Sequence, residues 1–198
     1  MRRHGGATSA PDYFEPVVGW RCWTVVRNGP RFRLRSIAFT DVWPVDEAFV
    51  ARCYESVRRF PLRRSGWQRQ HLPAVLECDC GIHAARDLEA AAAYLDLYDD
   101  ISQRSVCHRA FGRVALWGTV VEGELGWRAS HAYPRRILLP QNGTKGGSTL
   151  PEIANGLSAY GVPVEVLDAE DTASLRAGWS GSCSEKTAIS LARGSAAL

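Results

Sequence analysis

Gly112-Arg113-Val114-Ala115-Leu116-Trp117-Gly118-Thr119-Val120-Val121-Glu122 reads as a β-strand, and the residues that follow read as its return. Val114, Leu116 and Gly118 alternate with Ala115, Trp117 and Thr119, which is the two-residue period of a strand. Glu122-Gly123-Glu124-Leu125-Gly126 supplies the turn, and Trp127 to Leu139 runs back. A second hairpin lies upstream. Val17 to Val26 is rich in β-branched and aromatic residues, Arg27-Asn28-Gly29-Pro30 turns the chain, and Arg31-Phe32-Arg33-Leu34-Arg35-Ser36-Ile37 alternates. Phe32 and Leu34 face one way and the arginines the other, so the hairpin has one strongly basic face.

Between the hairpins, Val45 to Tyr54 fits a strand or a short helix equally well. Ala84 to Tyr98 reads as a helix, with Asp87 as its cap and Leu88, Ala91, Ala92, Leu95 and Tyr98 on one face. Leu150-Pro151-Glu152 starts another, with proline in its first turn, and Gly161 ends it. Val162 to Leu167 is a strand that Pro163 confines to an edge. The expected fold is α+β. It is a strongly bent antiparallel sheet or small barrel, with a packed helix and a metal-stapled loop segment. Residues 1–12 read as a disordered lead-in, 13–167 as a single zinc-stapled domain and 168–198 as a weakly ordered tail.

The chain has 198 residues, 45% of them hydrophobic and 23% charged, which is ordinary globular composition. No stretch reads as a membrane span and no apolar segment follows Arg2-Arg3, so a cytoplasmic protein is expected, with reduced cysteines, and the abundance of arginine and alanine over lysine is typical of a bacterial one from a GC-rich genome. Arginine outnumbers lysine 22 to 2. Charge is uneven: residues 1–73 sum to +7 and residues 74–198 to −4, for a net +3. A basic first third points to an anionic partner, or to ion pairs between the halves.

Cys53, His71, Cys78 and Cys80 are the candidate metal ligands. Thiolates and imidazole suit zinc, and four protein ligands make a closed, structural site. Cys78-Asp79-Cys80-Gly81 sets two thiols on a tight turn. His83 and the adjacent Cys107-His108 are the substitutes, and Cys22, between two tryptophans, reads as core. In a reducing compartment such spacing signals metal more often than disulfide.

Enzyme signatures are missing. The zinc-deaminase pattern, H-E-x-x-H, G-x-S-x-G, the P-loop and G-x-G-x-x-G do not occur, so no catalytic residue is assigned. The candidate contacts to an anionic partner are Arg31, Arg33 and Arg35 on the hairpin. Arg58, Arg59, Arg63, Arg64, Trp67 and Arg69 add a basic loop. Trp117, Trp127, Arg128 and Tyr133 form either a ligand pocket or simply core, with Arg128 paired to Glu122 in the second case. A short repeat, Gly19-Trp20-Arg21 and Gly126-Trp127-Arg128, falls on two expected strands and can mark equivalent sheet positions.

Taken together, Cys53, His71 with Pro73-Ala74, Cys78-Asp79-Cys80-Gly81-Ile82, Gly112-x-Val114-x-Leu116-Trp117-Gly118-x-Val120, Gly126-Trp127-Arg128-Ala129, Ala132-Tyr133-Pro134 and Tyr160-Gly161-Val162-Pro163-Val164 resemble a group of small uncharacterised bacterial and phage proteins. The resemblance spans roughly residues 19–166 and implies one domain with the Cys/His quartet as its ligands. The expected function is a non-catalytic, zinc-stabilised binding module that contacts nucleic acid or an acidic protein surface. A protein-interaction adaptor or accessory subunit and a metal-dependent enzyme on a small ligand are the alternatives. The sequence leaves the oligomeric state unknown.

Overall fold

The computed structural model describes residues 15–39, 41–53, 71–96, 106–141 and 147–172. Alternating apolar residues make the long strands. β1 (Val17–Asn28) turns at Asn28-Gly29-Pro30 into β2 (Arg31–Arg35), and the two pair antiparallel from Asn28↔Arg31 to Thr24↔Arg35. β5 (Val106–Glu122) and β6 (Gly126–Leu139) form the larger hairpin. β5 also pairs with β1 from Val17↔Leu116 to Val26↔Val106.

Three short strands share the other edge of β6. β4 (Ile82–Ala85) covers Gly126 to Ala129, β3 (Phe49–Val50) covers His131 and Ala132, and β7 (Val164–Val166) covers Ile137 to Leu139. β4 also touches β1 at Trp20↔Ala85, so hydrogen bonding runs in a ring through β1, β4, β6 and β5. The fold is therefore α+β with a strongly bent sheet. The sheet is mixed rather than wholly antiparallel, because β7 runs parallel to β6.

The sequence repeat falls on this ring. Gly19 and Gly126 flank β4 from opposite sides. A Cβ on Gly19 would lie 2.7 Å from the Ala84 Cβ, and one on Gly126 would lie 2.0 Å from the Ala84 carbonyl oxygen. Only glycine lets three backbones come so close. Each following tryptophan lies under a guanidinium, Arg113 over Trp20 at 5.0 Å and Arg86 over Trp127 at 4.6 Å.

Inside the ring, Trp23, Val25, Leu34, Trp43, Leu116, Ile137 and Leu139 are fully buried. Trp23 meets Trp43 edge to face at 5.5 Å, and Trp43 stacks on Phe49 at 4.8 Å. α2 (Leu150–Leu157) seats Ile153 and Leu157 in this core. The opposite face of β1 and β5 carries Cys22 and Phe111, covered by Ala91 and Ala92 of α1 (Leu88–Asp96). α1 starts at the expected cap, since the Ala90 N–H donates to Asp87 Oδ1 at 2.8 Å. It begins later than the sequence suggested because Ile82–Ala85 pairs as β4. Tyr98, the last residue of the expected helix, lies outside the described residues.

Past Leu167 the chain enters a helical turn, with the Asp171 N–H on Asp168 Oδ1 at 2.7 Å and Thr172 buried. Residues 1–12 and 173–198 lie outside the described residues. Among those described, no helix is long and apolar enough to cross a membrane.

Candidate metal centre

β3 and β4 lie end to end along one edge of β6. β3 runs down it from Phe49↔Ala132 to Val50↔His131, and the Ala51 N–H donates to the Ser130 carbonyl at 2.8 Å. β4 takes over at Ile82↔Ala129. In register, the two are one strand interrupted by an excursion of residues 52–81. Cys53 stands where the chain leaves, two residues after Ala51, and Cys80 where it returns, two residues before Ile82.

The candidate ligands meet at this neck. The ligand atoms of Cys53, His71, Cys78 and Cys80 all lie within 4.8 Å of one another. Cys53 Sγ is 3.3 Å from His71 Nε2 and 3.7 Å from Cys78 Sγ. Zinc–sulfur bonds near 2.3 Å in a tetrahedron give S···S edges of about 3.8 Å, and mixed S···N edges near 3.6 Å. The Cys53–His71 and Cys53–Cys78 separations match those edges to within a few tenths of an ångström, while Cys80 Sγ lies 3.8 Å from the other ring nitrogen of His71, Nδ1. Three thiols and one imidazole at this spacing can hold a metal ion. Burial pushes the Cys80 thiol above its ordinary range.

Local structure explains the convergence. Gly81 has a φ of +126°, which turns the chain from the Cys78–Cys80 knuckle into β4. Arg128 reaches back from β6 beneath the knuckle. Its Nη1 donates to the carbonyl oxygens of Val75 at 2.9 Å, Cys80 at 3.1 Å and Cys78.

The substitute ligands lie elsewhere. His83 is exposed, with Nε2 at 2.9 Å from the Asp79 carbonyl oxygen. Cys107 and His108 are buried in β5, and Cys22 donates its thiol to the Ala91 carbonyl oxygen at 2.9 Å.

The arginine candidates separate. Arg31 is exposed and Arg33 half-buried, its Nη1 on the Phe32 carbonyl oxygen at 2.7 Å. Arg35 is 7% exposed, so it does not share the solvated face that alternation assigned to it. Its Nε lies 3.3 Å from Thr24 Oγ1, its backbone bridges to Val42, and burial lowers its pKa. Arg58, Arg59, Arg63, Arg64, Trp67 and Arg69 lie outside the described residues.

Trp117, Trp127 and Tyr133 engage separate partners. Trp117 stacks on His131 at 6.1 Å and Trp127 lies under Arg86. The Tyr133 hydroxyl donates to the carbonyl oxygens of Val45 and, at 3.0 Å, Tyr160. Trp127 and Tyr133 pack on the main core. The expected pair of Arg128 with Glu122 is replaced: Arg86 takes Glu122 at 2.5 Å, which frees Arg128 for the knuckle. Sequence reasoning missed this role for Arg128, and the Gly-Trp-Arg repeat was its signal. In each copy the arginine donates to carbonyls at β4 or the loop before it, Arg21 to that of His83.

No protein-family model, curated protein or solved structure matches the chain, so the site stands on its own geometry.

Proposed function

We propose that the chain is a non-catalytic, zinc-stabilised binding module whose metal closes the neck of the 52–81 excursion. The excursion presents an arginine-rich segment to an anionic partner, nucleic acid being the best fit. The observation that carries this reading is the 3.3 Å approach of Cys53 Sγ to His71 Nε2. Those two residues bound the segment 54–70, whose sequence holds Arg58, Arg59, Arg63, Arg64 and Arg69 against the single acid Glu55. A metal held by both residues would tie together the two ends of that basic segment. With four protein ligands the ion keeps no open position for substrate, which favours a structural role over catalysis. Three thiolate ligands suit a reducing compartment such as the cytoplasm.

Elemental analysis and an oligonucleotide titration test the proposal together. About one zinc per chain is expected, lost in a Cys78→Ser/Cys80→Ser variant. Binding should weaken steeply with salt, because phosphate contacts release counterions, and should fall on reversal of Arg63 and Arg64 to glutamate. Salt-insensitive binding, or binding unchanged by that reversal, overturns the nucleic-acid reading. Absence of zinc from the wild type overturns the module itself. A second reading, an adaptor for a protein partner, is favoured by Leu72 and Leu76, which are 87% and 76% exposed on the excursion. A partner co-purifying at fixed stoichiometry would select it.

A further inference from the structure

We infer that Arg128 is the positioning residue and counter-charge of the metal centre. This rests on the proposed zinc site. Residues 75–80 form a loop with few backbone bonds of its own: the Cys78 N–H reaches the Val75 carbonyl oxygen at a long 3.4 Å. Carbonyls left in such a turn need donors. Arg128 supplies them from one planar group, with Nη1 on Val75, Cys78 and Cys80 and Nη2 on the Leu76 carbonyl oxygen at 3.4 Å. Two of the four carbonyls belong to ligand residues, so the guanidinium sets the backbone from which both thiols project.

The base of Arg128 is equally constrained. It stands opposite His83 in the β4–β6 pairing, within the closed ring, and a Cβ on Gly81 would lie 3.2 Å from the Arg128 Cβ. A rigid strand therefore holds the fork, and the fork holds the knuckle. Charge adds a second contribution. Three thiolates and a neutral imidazole on a divalent zinc ion leave one net negative charge, and Arg128 places a cation against the same loop. Lysine would keep that charge but has no planar fork with which to span four carbonyls.

Arg128→Lys and Arg128→Met in the full chain test this. Zinc affinity is read by chelator competition, and cobalt(II) substitution reads the ligand set through thiolate charge-transfer and tetrahedral d–d absorption. The expected wild-type spectrum is that of three thiolates and one nitrogen. Both variants should keep the thiolate bands at saturating cobalt yet lose zinc affinity by about 10- to 100-fold, methionine more than lysine. A purely structural arginine would destabilise the zinc-bound and zinc-free protein alike and leave affinity unchanged. If Arg128→Met does not fold, Arg128→Lys decides alone. Wild-type zinc affinity in Arg128→Lys overturns this inference and leaves the site intact. A wild type that takes cobalt without thiolate bands overturns the site and the inference together.

Discussion

Replacing Tyr160 with phenylalanine removes one oxygen from the middle of the protein. That oxygen accepts from the Leu34 N–H at 2.9 Å and donates to the Trp43 carbonyl oxygen at 2.8 Å. Leu34 and Trp43 are also joined directly, the Trp43 N–H on the Leu34 carbonyl oxygen at 2.8 Å. The phenol thus fills a gap in a backbone seam beside β2, and Tyr160 is 2% exposed, so water cannot take its place. Two buried hydrogen bonds are worth about 1 kcal/mol each net, and orphaning a buried N–H and C=O adds to that. The expected loss is roughly 2–4 kcal/mol, read as the shift in a urea transition with zinc present.

The pH dependence gives an independent check. Burial pushes the Tyr160 pKa up from 10.0 to about 12. The folded chain prefers the neutral phenol, so its stability contribution is whole below pH 10 and is lost as pH rises towards 12. Over that window wild type should lose roughly 2–3 kcal/mol more than Tyr160→Phe, which has no proton to release. A phenylalanine variant within about 0.5 kcal/mol of wild type at pH 7, or parallel pH profiles for the two proteins, would refute the reasoning.

Other parts of the fold make sharper demands on single residues. Gly126→Ala would drive a methyl group into the Ala84 carbonyl oxygen, so it should open the β4–β6 seam and cost about 1–3 kcal/mol or more in thermal melts. An unchanged melting temperature would mean that the three backbones of the ring are not so close. Thr149→Ala removes the side-chain half of the capping box of α2, the Glu152 N–H on Thr149 Oγ1 at 3.4 Å, and leaves the other half, the Thr149 N–H on Glu152 Oε2 at 2.9 Å. It should cost about 1 kcal/mol by chemical denaturation.

How much of this the sequence discloses depends on whether the signal is local. Both hairpins are legible because alternation is local: Phe32 and Leu34 are buried as the pattern requires. The quartet is legible because thiols and imidazole carry their chemistry in their identity, and Cys-x-Cys-Gly marks a turn without any fold. Arg35 breaks the alternation because Val42 bridges to it from outside the hairpin, which no strand period encodes. β4 is masked because His83-Ala84-Ala85 runs without a break into a helix of the same composition. Its pairing to β6 is what overrides helix propensity. The alignment of β3 with β4, which brings the candidate ligands together, depends on the register of residues about thirty apart, and spacing alone does not supply that.

That alignment also bears on why a metal would be used here. β3 has two residues, too few to hold a chain end by pairing alone. An excursion usually earns its place by burying apolar side chains, each worth about 1.5–3 kcal/mol. Here Leu72 and Leu76 forgo that contribution by remaining exposed, and of the described residues between Val50 and Ile82 only Ala51, Pro73, Ala74 and Cys78 are buried. A structural zinc site contributes on the order of 10 kcal/mol in small peptides without needing a core. A metal held by the four ligands at the neck would tie the chain down at the point where β3 is weakest.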